Sequence, residues 1–345
     1  MSKFSVLVVA WVCLVAVACA GLPASPTPAA APSPAPLPTT PPTRKSGTLR
    51  LLYLNTRDVR DVPVLLALEA LQAQGYTIVQ TSLGTTSLIV DALARGDGDL
   101  ASFANNSAWT AVSKGAKLVT IGEIHHTQPV VAARNDIHTC QDLDGKPVAV
   151  NPPGQANAAL LDRYMKQSCP GAKYVPVVIS DNAAKVAALL SGNVDAALVE
   201  NEFMLDIQRR APDRFHALIS LAKEFPLIHT AGIQVRREWA EQNPGLVKDY
   251  MRALLESDRR VAADRQLLYA EAQKRIGLDA AAAKETADMY LDNNAWEPNG
   301  GLTAENVKYT LDFLTGLSAV PAGVKVEDVS DLSYLNAALD AIGRK

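Results

Sequence analysis

The sequence is poor in the residues that most chemistry needs. Its 345 residues hold five histidines and four cysteines, aromatics make up only 6%, and the formal charge is −3. A nearly neutral chain without clustered Lys and Arg excludes nucleic acid as a partner, because phosphate binding depends on such clusters. No G-x-S-x-G, P-loop, G-x-G-x-x-G or H-E-x-x-H occurs, which removes the common hydrolase, nucleotide-binding and metalloprotease signatures. Past residue 20 no stretch is long and apolar enough to cross a membrane. His125 and His126 are adjacent at a strand end and would point oppositely, while His138, His216 and His229 are scattered. Neither a metal site nor a cofactor is expected, and no catalytic residue is assigned.

What is present begins with an export leader. Lys3 precedes an unbroken apolar run from Val6 to Ala20 that ends in small residues, too short to span a bilayer, as a signal peptide over 1–18 would be. Ala16-Val17-Ala18-Cys19 resembles the cleavage box of bacterial lipoproteins, with Ala16 where Leu is usual. Cys19 is therefore the expected lipidation site, and ordinary cleavage after Ala18 or Ala20 is the alternative. Residues 19–46, rich in Pro, Ala, Ser and Thr, cannot build a core and read as an extended spacer. A spacer is useful when its front end is fixed. The expected location is the outer face of the cytoplasmic membrane, with contact through the lipid alone. Cys13 and Cys19 fall in this segment, which leaves Cys140 and Cys169 as the expected disulfide of an exported protein.

Roughly 300 residues remain, more than one core usually holds, so two lobes are expected. "TLRLLYL" from position 48 reads as a buried strand and "DVPVLLALEALQAQG" from position 61 as a helix stopped at Gly75. The strand–helix order then repeats, as it does where sheets are mainly parallel. One phrase is also written twice. "VDALARGDGDLA" starts at Val90 and "VAALLSGNVDAA" at Val186, each with a helix ending at Gly96 or Gly192 and a strand beginning near Asp99 or Asp195. Those two Asp residues are expected to be turn and cap residues that locate the site without forming it. The last hundred residues read as mostly helical.

The echoed phrases, "CQDLDGKPVAV" before a Gly-bearing helix start, and "EWAEQNP" followed by helices and "WEPNGGLT" resemble the solute-binding proteins of bacterial ABC importers. More narrowly they are similar to the branch of aliphatic-sulfonate, nitrate and thiamine-precursor binders. The resemblance spans 48–339 and implies an α/β, type 2 periplasmic-binding-protein fold. Each lobe would hold a mainly parallel sheet flanked by helices, one lobe comprising 47–131 and 233–345, the other 132–232. Two crossing strands would join them, with the ligand between and a helical C-terminal region. The implied protein is a monomer that passes a small polar organic molecule, such as a sulfonate, a pyrimidine or a similar heterocycle, to an ABC permease and its ATPase. A tethered sensor and a pyrimidine-synthesising enzyme of the same fold are the alternatives; the cysteine-rich motif of that enzyme is missing.

Parallel sheets bind ligands beyond their carboxyl edges, and two such edges facing each other make a cleft. In the first lobe the strand ends and helix starts supply Asn55, Thr56, Arg57, Gly84, Thr85, Thr86, Asn105, Asn106 and Ser107. In the second they supply Gly154, Gln155, Asn157, Glu200 and Asn201, with Glu202 close by. Thr86, Ser107 and Asn157 are also types that cap helices, so each has an ordinary structural use. Gly84 and Gly154 would let an anion approach free helix-start amides, whereas Glu200 and Glu202 would repel it or hold an amine. Tyr53, Phe103, Trp109 and Phe203 stand near these lips and would either stack on a planar ring or pack the core.

Overall fold

The computed structural model describes residues 45–345 apart from 55, 56, 127, 128 and 154. The leader, the spacer up to residue 44 and Cys19, together with Asn55, Thr56 and Gly154, lie outside the described residues.

Ten strands form two five-stranded sheets. They are β1 (Thr48–Leu54), β2 (Thr77–Leu83), β3 (Leu100–Ala104), β4 (Leu118–Gly122), β5 (Val130–Arg134), β6 (Pro147–Val150), β7 (Val175–Val178), β8 (Ala196–Val199), β9 (Phe215–Ser220) and β10 (Ala231–Arg236). The first sheet runs β2-β1-β3-β10-β4 and the second β7-β6-β8-β5-β9. Within each, the first three strands are parallel, and the fourth in spatial order pairs antiparallel with both its neighbours. Four strands of each sheet run the same way, so the sheets are mainly parallel, as the sequence implied, with one strand reversed. The reason is topological. β5 and β10 each arrive from the other sheet, so they enter at the carboxyl edge and run against the resident strands.

The chain crosses between sheets twice, at 123–129 and 221–230. The lobe boundaries expected at 131/132 and 232/233 fall inside β5 and β10, each of which pairs wholly within one sheet. Continuous apolar runs such as "VVAA" carry no mark of where a crossing ends.

Local chemistry explains the echoed phrase. The helices Thr86–Arg95 and Asn182–Ser191 both end in a left-handed residue, Gly96 at φ 89° and Gly192 at φ 78°, whose N–H groups bond back to the last turn. Glycine adopts that conformation without the Cβ clash of other residues. Asp99 then accepts from the Arg50 amide and its Nε, both at 3.0 Å, while Asp195 accepts from Arg134 Nη1 at 2.7 Å. Each Asp thus staples the start of a central strand to its neighbour. Both staples sit at the amino edges, away from the cleft.

Packing follows the apolar patterns. The helix Pro244–Ala263 buries Leu246, Val247, Met251, Leu254 and Leu255. A second cluster joins Ala132, Ala149, Val186, Leu189 and Ile207 on one face of the second sheet. A third joins Val59, Val62 and Leu66 to Leu268, Ala283 and Ala287 of the C-terminal helices and to Trp296 in the loop that follows them. Cys140 and Cys169 are joined as a disulfide with Cα atoms 6.0 Å apart, tying the turn before β6 to the end of helix Ala156–Ser168. No described helix is long and apolar enough to cross a membrane.

Candidate functional site

The carboxyl edges of the two sheets face a cleft of about 670 Å³. From the first sheet come the end of β1 and the turn behind it. Asp58 caps that turn by accepting from the Arg60 amide at 2.8 Å, and Asp61 returns the cap by accepting from the Asp58 amide at 3.0 Å. The turn projects Arg60, whose Nε donates to Asp58 at 2.6 Å. Its Nη2 lies 3.5 Å from Glu202 of helix Asn201–Arg210, on the other side of the cleft. Burial works against the Arg60 charge, but Asp58, Tyr290 and Glu202 outweigh it and hold the guanidinium protonated. Beside it Arg57 lies 3.9 Å over the Tyr53 ring and donates to Gln80 at 2.7 Å.

The second sheet contributes acceptors. Asn157, in the first turn of helix Ala156–Ser168, donates through Nδ2 to Glu200 Oε1 at 2.9 Å. With that donor engaged, the oxygens that remain on both side chains are acceptors. Burial, reinforced by Glu202, pushes the Glu200 carboxyl above its ordinary range. Beneath the lip, Lys185 is fully buried and donates to Asn151 Oδ1 at 2.6 Å and to the Leu198 carbonyl at 2.9 Å. Asn151 in turn donates to Gln155 Oε1 at 3.0 Å. Burial lowers the Lys185 ammonium to about 8, opposed by Glu200 and Asp181.

The crossings form the cleft floor and separate the two adjacent histidines. His125 lines the cleft, whereas His126 turns toward Glu123 and packs against His229 at a tilt of 48°, ring centroids 4.6 Å apart. Burial, with Arg60 nearby, depresses His125 to about 4, so its ring is neutral at neutral pH. Glu123, His126 and His229 place ligand-type atoms within 4.8 Å of one another. Their protons nevertheless follow a hydrogen-bonded order. Asn306 accepts from the Thr303 amide at 2.8 Å and donates to the Gly301 carbonyl at 2.6 Å, so its orientation is fixed and its Nδ2 also donates to His229 Nε2 at 2.9 Å. Nδ1 must then carry the ring proton and give it to Glu123 Oε2 at 2.7 Å. A metal-bound imidazole needs its second nitrogen to donate, which Asn306 forbids.

Of the residues expected from sequence, Arg57, Asn106, Gln155, Asn157 and Glu200 line the cleft. Asn105 does not. It is 1% exposed, donates to the His229 carbonyl at 2.8 Å and accepts from Gln234 at 2.9 Å. Gln234 then accepts from Thr120, which accepts from Trp109. This closed chain uses Asn105 and Trp109 as packing, and it needs Gly232, because a Cβ there would collide with Asn105 Oδ1. Gly84, Thr85 and Thr86 lie past the end of edge strand β2, where Thr85 caps its helix by accepting from the Leu88 amide at 3.3 Å. Ser107 lies in the first turn of helix Asn105–Ser113, outside the lining, and Asn201 is buried at the start of helix Asn201–Arg210. Tyr53 and Phe103 line the cleft, while Phe203 packs against the second-sheet cluster. Arg60, Asp61, His125 and Lys185 were not expected. A signal existed for one of them: Lys185 interrupts the otherwise apolar "AAKVAALL".

Comparison with known proteins adds a family and a fold. The family model described as NMT1/THI5 like matches residues 77–265. No curated protein matches. Among solved structures, the periplasmic aliphatic sulphonate binding protein SsuA from Escherichia coli aligns with a TM-score of 0.65 at 21% identity, over 81% of this chain and 91% of that one. The periplasmic nitrate-binding protein NrtA from Synechocystis PCC 6803 aligns at 0.61 and 12% identity, over 86% and 89%. A DszB variant in complex with biphenyl-2-sulfinic acid aligns at 0.62 and 14%, over 85% and 99%. At these identities the likeness is one of fold, the type 2 periplasmic-binding-protein architecture.

Proposed function

The chain belongs to the NMT1/THI5-like family, and from that premise we propose that it is an exported solute-binding component of an ABC importer. It captures a small polar organic molecule between its lobes and presents it to a permease driven by an ATPase. The observation that carries this reading is the cleft itself, at the facing carboxyl edges of two sheets joined by two crossings, with polar side chains supplied from both sides. That is the geometry in which rigid lobes close on a ligand.

The polarity of the cleft supports a narrower solute class. Its first-sheet side presents the donors Arg57 and Arg60, and its second-sheet side the acceptors Glu200, Glu202 and the Asn157 oxygen. Arg60 is already matched by Asp58 and Glu202. A simple anion would find one guanidinium without a carboxylate partner, Arg57, against three lining carboxyl groups, those of Asp61, Glu200 and Glu202. A molecule with an acceptor at one end and an N–H donor at the other fits both walls, which favours a zwitterion or an amino-heterocycle over nitrate or an alkanesulfonate.

The test is a thermal-shift and calorimetric titration of the mature chain with taurine, 4-aminopyrimidine, ethanesulfonate and nitrate. A solute held in the cleft raises the melting temperature by mass action, by about 2.7 kcal/mol of stability at a hundred times its Kd. Taurine or 4-aminopyrimidine is expected to give the larger shift, and Glu200→Gln to weaken it about tenfold or more. No shift with any of the four would overturn the solute-binding reading. A shift confined to ethanesulfonate and nitrate would keep it and reverse the polarity assignment.

A further inference from the structure

We infer that His125 is a solute-contacting residue of the cleft, offering its Nε2 to the bound molecule from the crossing segment itself; the inference rests on the solute-binding reading above. Most polar groups of the lining are already engaged by the protein. Arg57 is held by Gln80, Arg60 by Asp58 and Glu202, Asn157 by Glu200, and Gln155 by Asn151. His125 is different. Its Nδ1 is enclosed without a hydrogen-bond partner among the described residues, and the ring lines the cleft. The nitrogen left to face the cavity is Nε2. No side chain or backbone group among the described residues bonds that Nε2, so it is the ring nitrogen open to a bound molecule.

The proton on this ring has a preferred place. An enclosed bare lone pair is tolerated more readily than an enclosed bare N–H, so Nδ1 is the unprotonated nitrogen and Nε2–H is the donor. Burial, with Arg60 beside the ring, keeps it neutral by lowering its pKa to about 4. The contact is therefore a hydrogen bond to an acceptor on the solute, and no ion pair is involved. Its strength should not change between about pH 6 and 8, where an ordinary histidine with a pKa of about 6.5 would titrate.

Position adds a second consequence. His125 stands two residues after Glu123, which holds His229 of the other crossing, and the His126 amide donates to the Ala295 carbonyl at 2.7 Å. A solute that accepts from His125 therefore touches the short segment on which both crossings are tied. Contact there registers occupancy at the hinge as well as at the lobe lips.

The experiment compares wild type, His125→Phe and His125→Gln, each titrated with taurine, 4-aminopyrimidine, ethanesulfonate and nitrate. Phe keeps ring bulk and removes the nitrogens; Gln keeps a donor. For the probe that binds wild type best, His125→Phe is expected to lose about ten- to a hundredfold in affinity and His125→Gln to regain most of it. Melting temperatures without probe should stay close to wild type. In nitrogen-15 spectra of wild type, the His125 Nε2 resonance should move on saturation and show no titration above pH 5. Equal affinity in His125→Phe would overturn the assignment while leaving solute binding intact. If His125→Phe fails to fold, a His125 Nε2 resonance unmoved by a saturating probe decides against it equally. If no probe binds wild type, the solute-binding reading falls and this inference falls with it.

Discussion

Asp258 shows how one residue can set a pH dependence. It is 3% exposed in helix Pro244–Ala263, its Oδ1 has no hydrogen-bond partner among the described residues, and burial with Glu123 nearby raises its pKa well above 3.8. A carboxyl whose folded pKa is raised favours the fold fully below the unfolded pKa, and that contribution is lost as pH rises through the folded value. Asp258→Asn removes the loss. The variant should melt higher than wild type at pH 8 and match it near pH 4, as scanning calorimetry at several pH values would show; a lower melting temperature at pH 8 would contradict this. At this scale the sequence was legible in part. Asn106 and Asn105 are neighbours of one residue type at one strand end, yet the first lines the cleft and the second turns inward to Gln234, 129 positions away. No local pattern distinguishes them, because the partner that decides the rotamer arrives on β10. Arg60 and His125 escaped for the same reason, since their roles depend on Glu202 and on a cleft that exists only after folding.

Elements were far more legible, because a helix or strand is fixed by its own periodicity and punctuation. Gly75, Gly96 and Gly192 end their helices with left-handed backbones, and the apolar runs became the central strands. The last hundred residues read as mostly helical without showing where one helix gives way to the next, as at Asp264, which follows helix Pro244–Ala263 and caps helix Arg265–Ile276 by accepting from the Leu267 amide. The apolar stripe continues across that break, so periodicity alone hides it. Short helices such as Val326–Val329 offer too few residues for a period at all. The disulfide acts at this scale too. It joins residues 29 apart, closing a loop whose entropy model gives about 3.6 kcal/mol, so a Cys140→Ser and Cys169→Ser double variant should lose roughly that amount in urea unfolding. Two free thiols in the denatured, unreduced protein would show instead that the bridge does not form.

For the molecule as a whole, the lipidation expected at Cys19 from the sequence is a prediction to test. Cys19→Ser should move the protein from the membrane to the soluble fraction or block its processing, and mass spectrometry of the native product reads the same point. An unmodified mature start at Ala20 or Gly21 would exclude the lipid. The doubled architecture was legible because the phrase at 90 and 186 repeats its glycine and aspartate at matching offsets, whereas the tie between the crossings was not, since Glu123 and His229 are 106 positions apart. That tie has a mechanical consequence. His229 is gripped by its amide through Thr310, by its carbonyl through Asn105, and by both ring nitrogens through Glu123 and Asn306. A residue held at four points does not turn, and Thr310 also donates to the Leu227 carbonyl at 3.2 Å, so along the second crossing bending is left to 221–226, while helix Ala304–Gly316 moves with the first sheet and closure works against its bond to the other lobe, from Arg163 to the Tyr309 hydroxyl at 3.0 Å. A spectroscopic ruler laid between Asp312 and Arg95 would read a constant length through every cycle of capture and release, and one laid from Asp312 to Lys166 would see the jaw move.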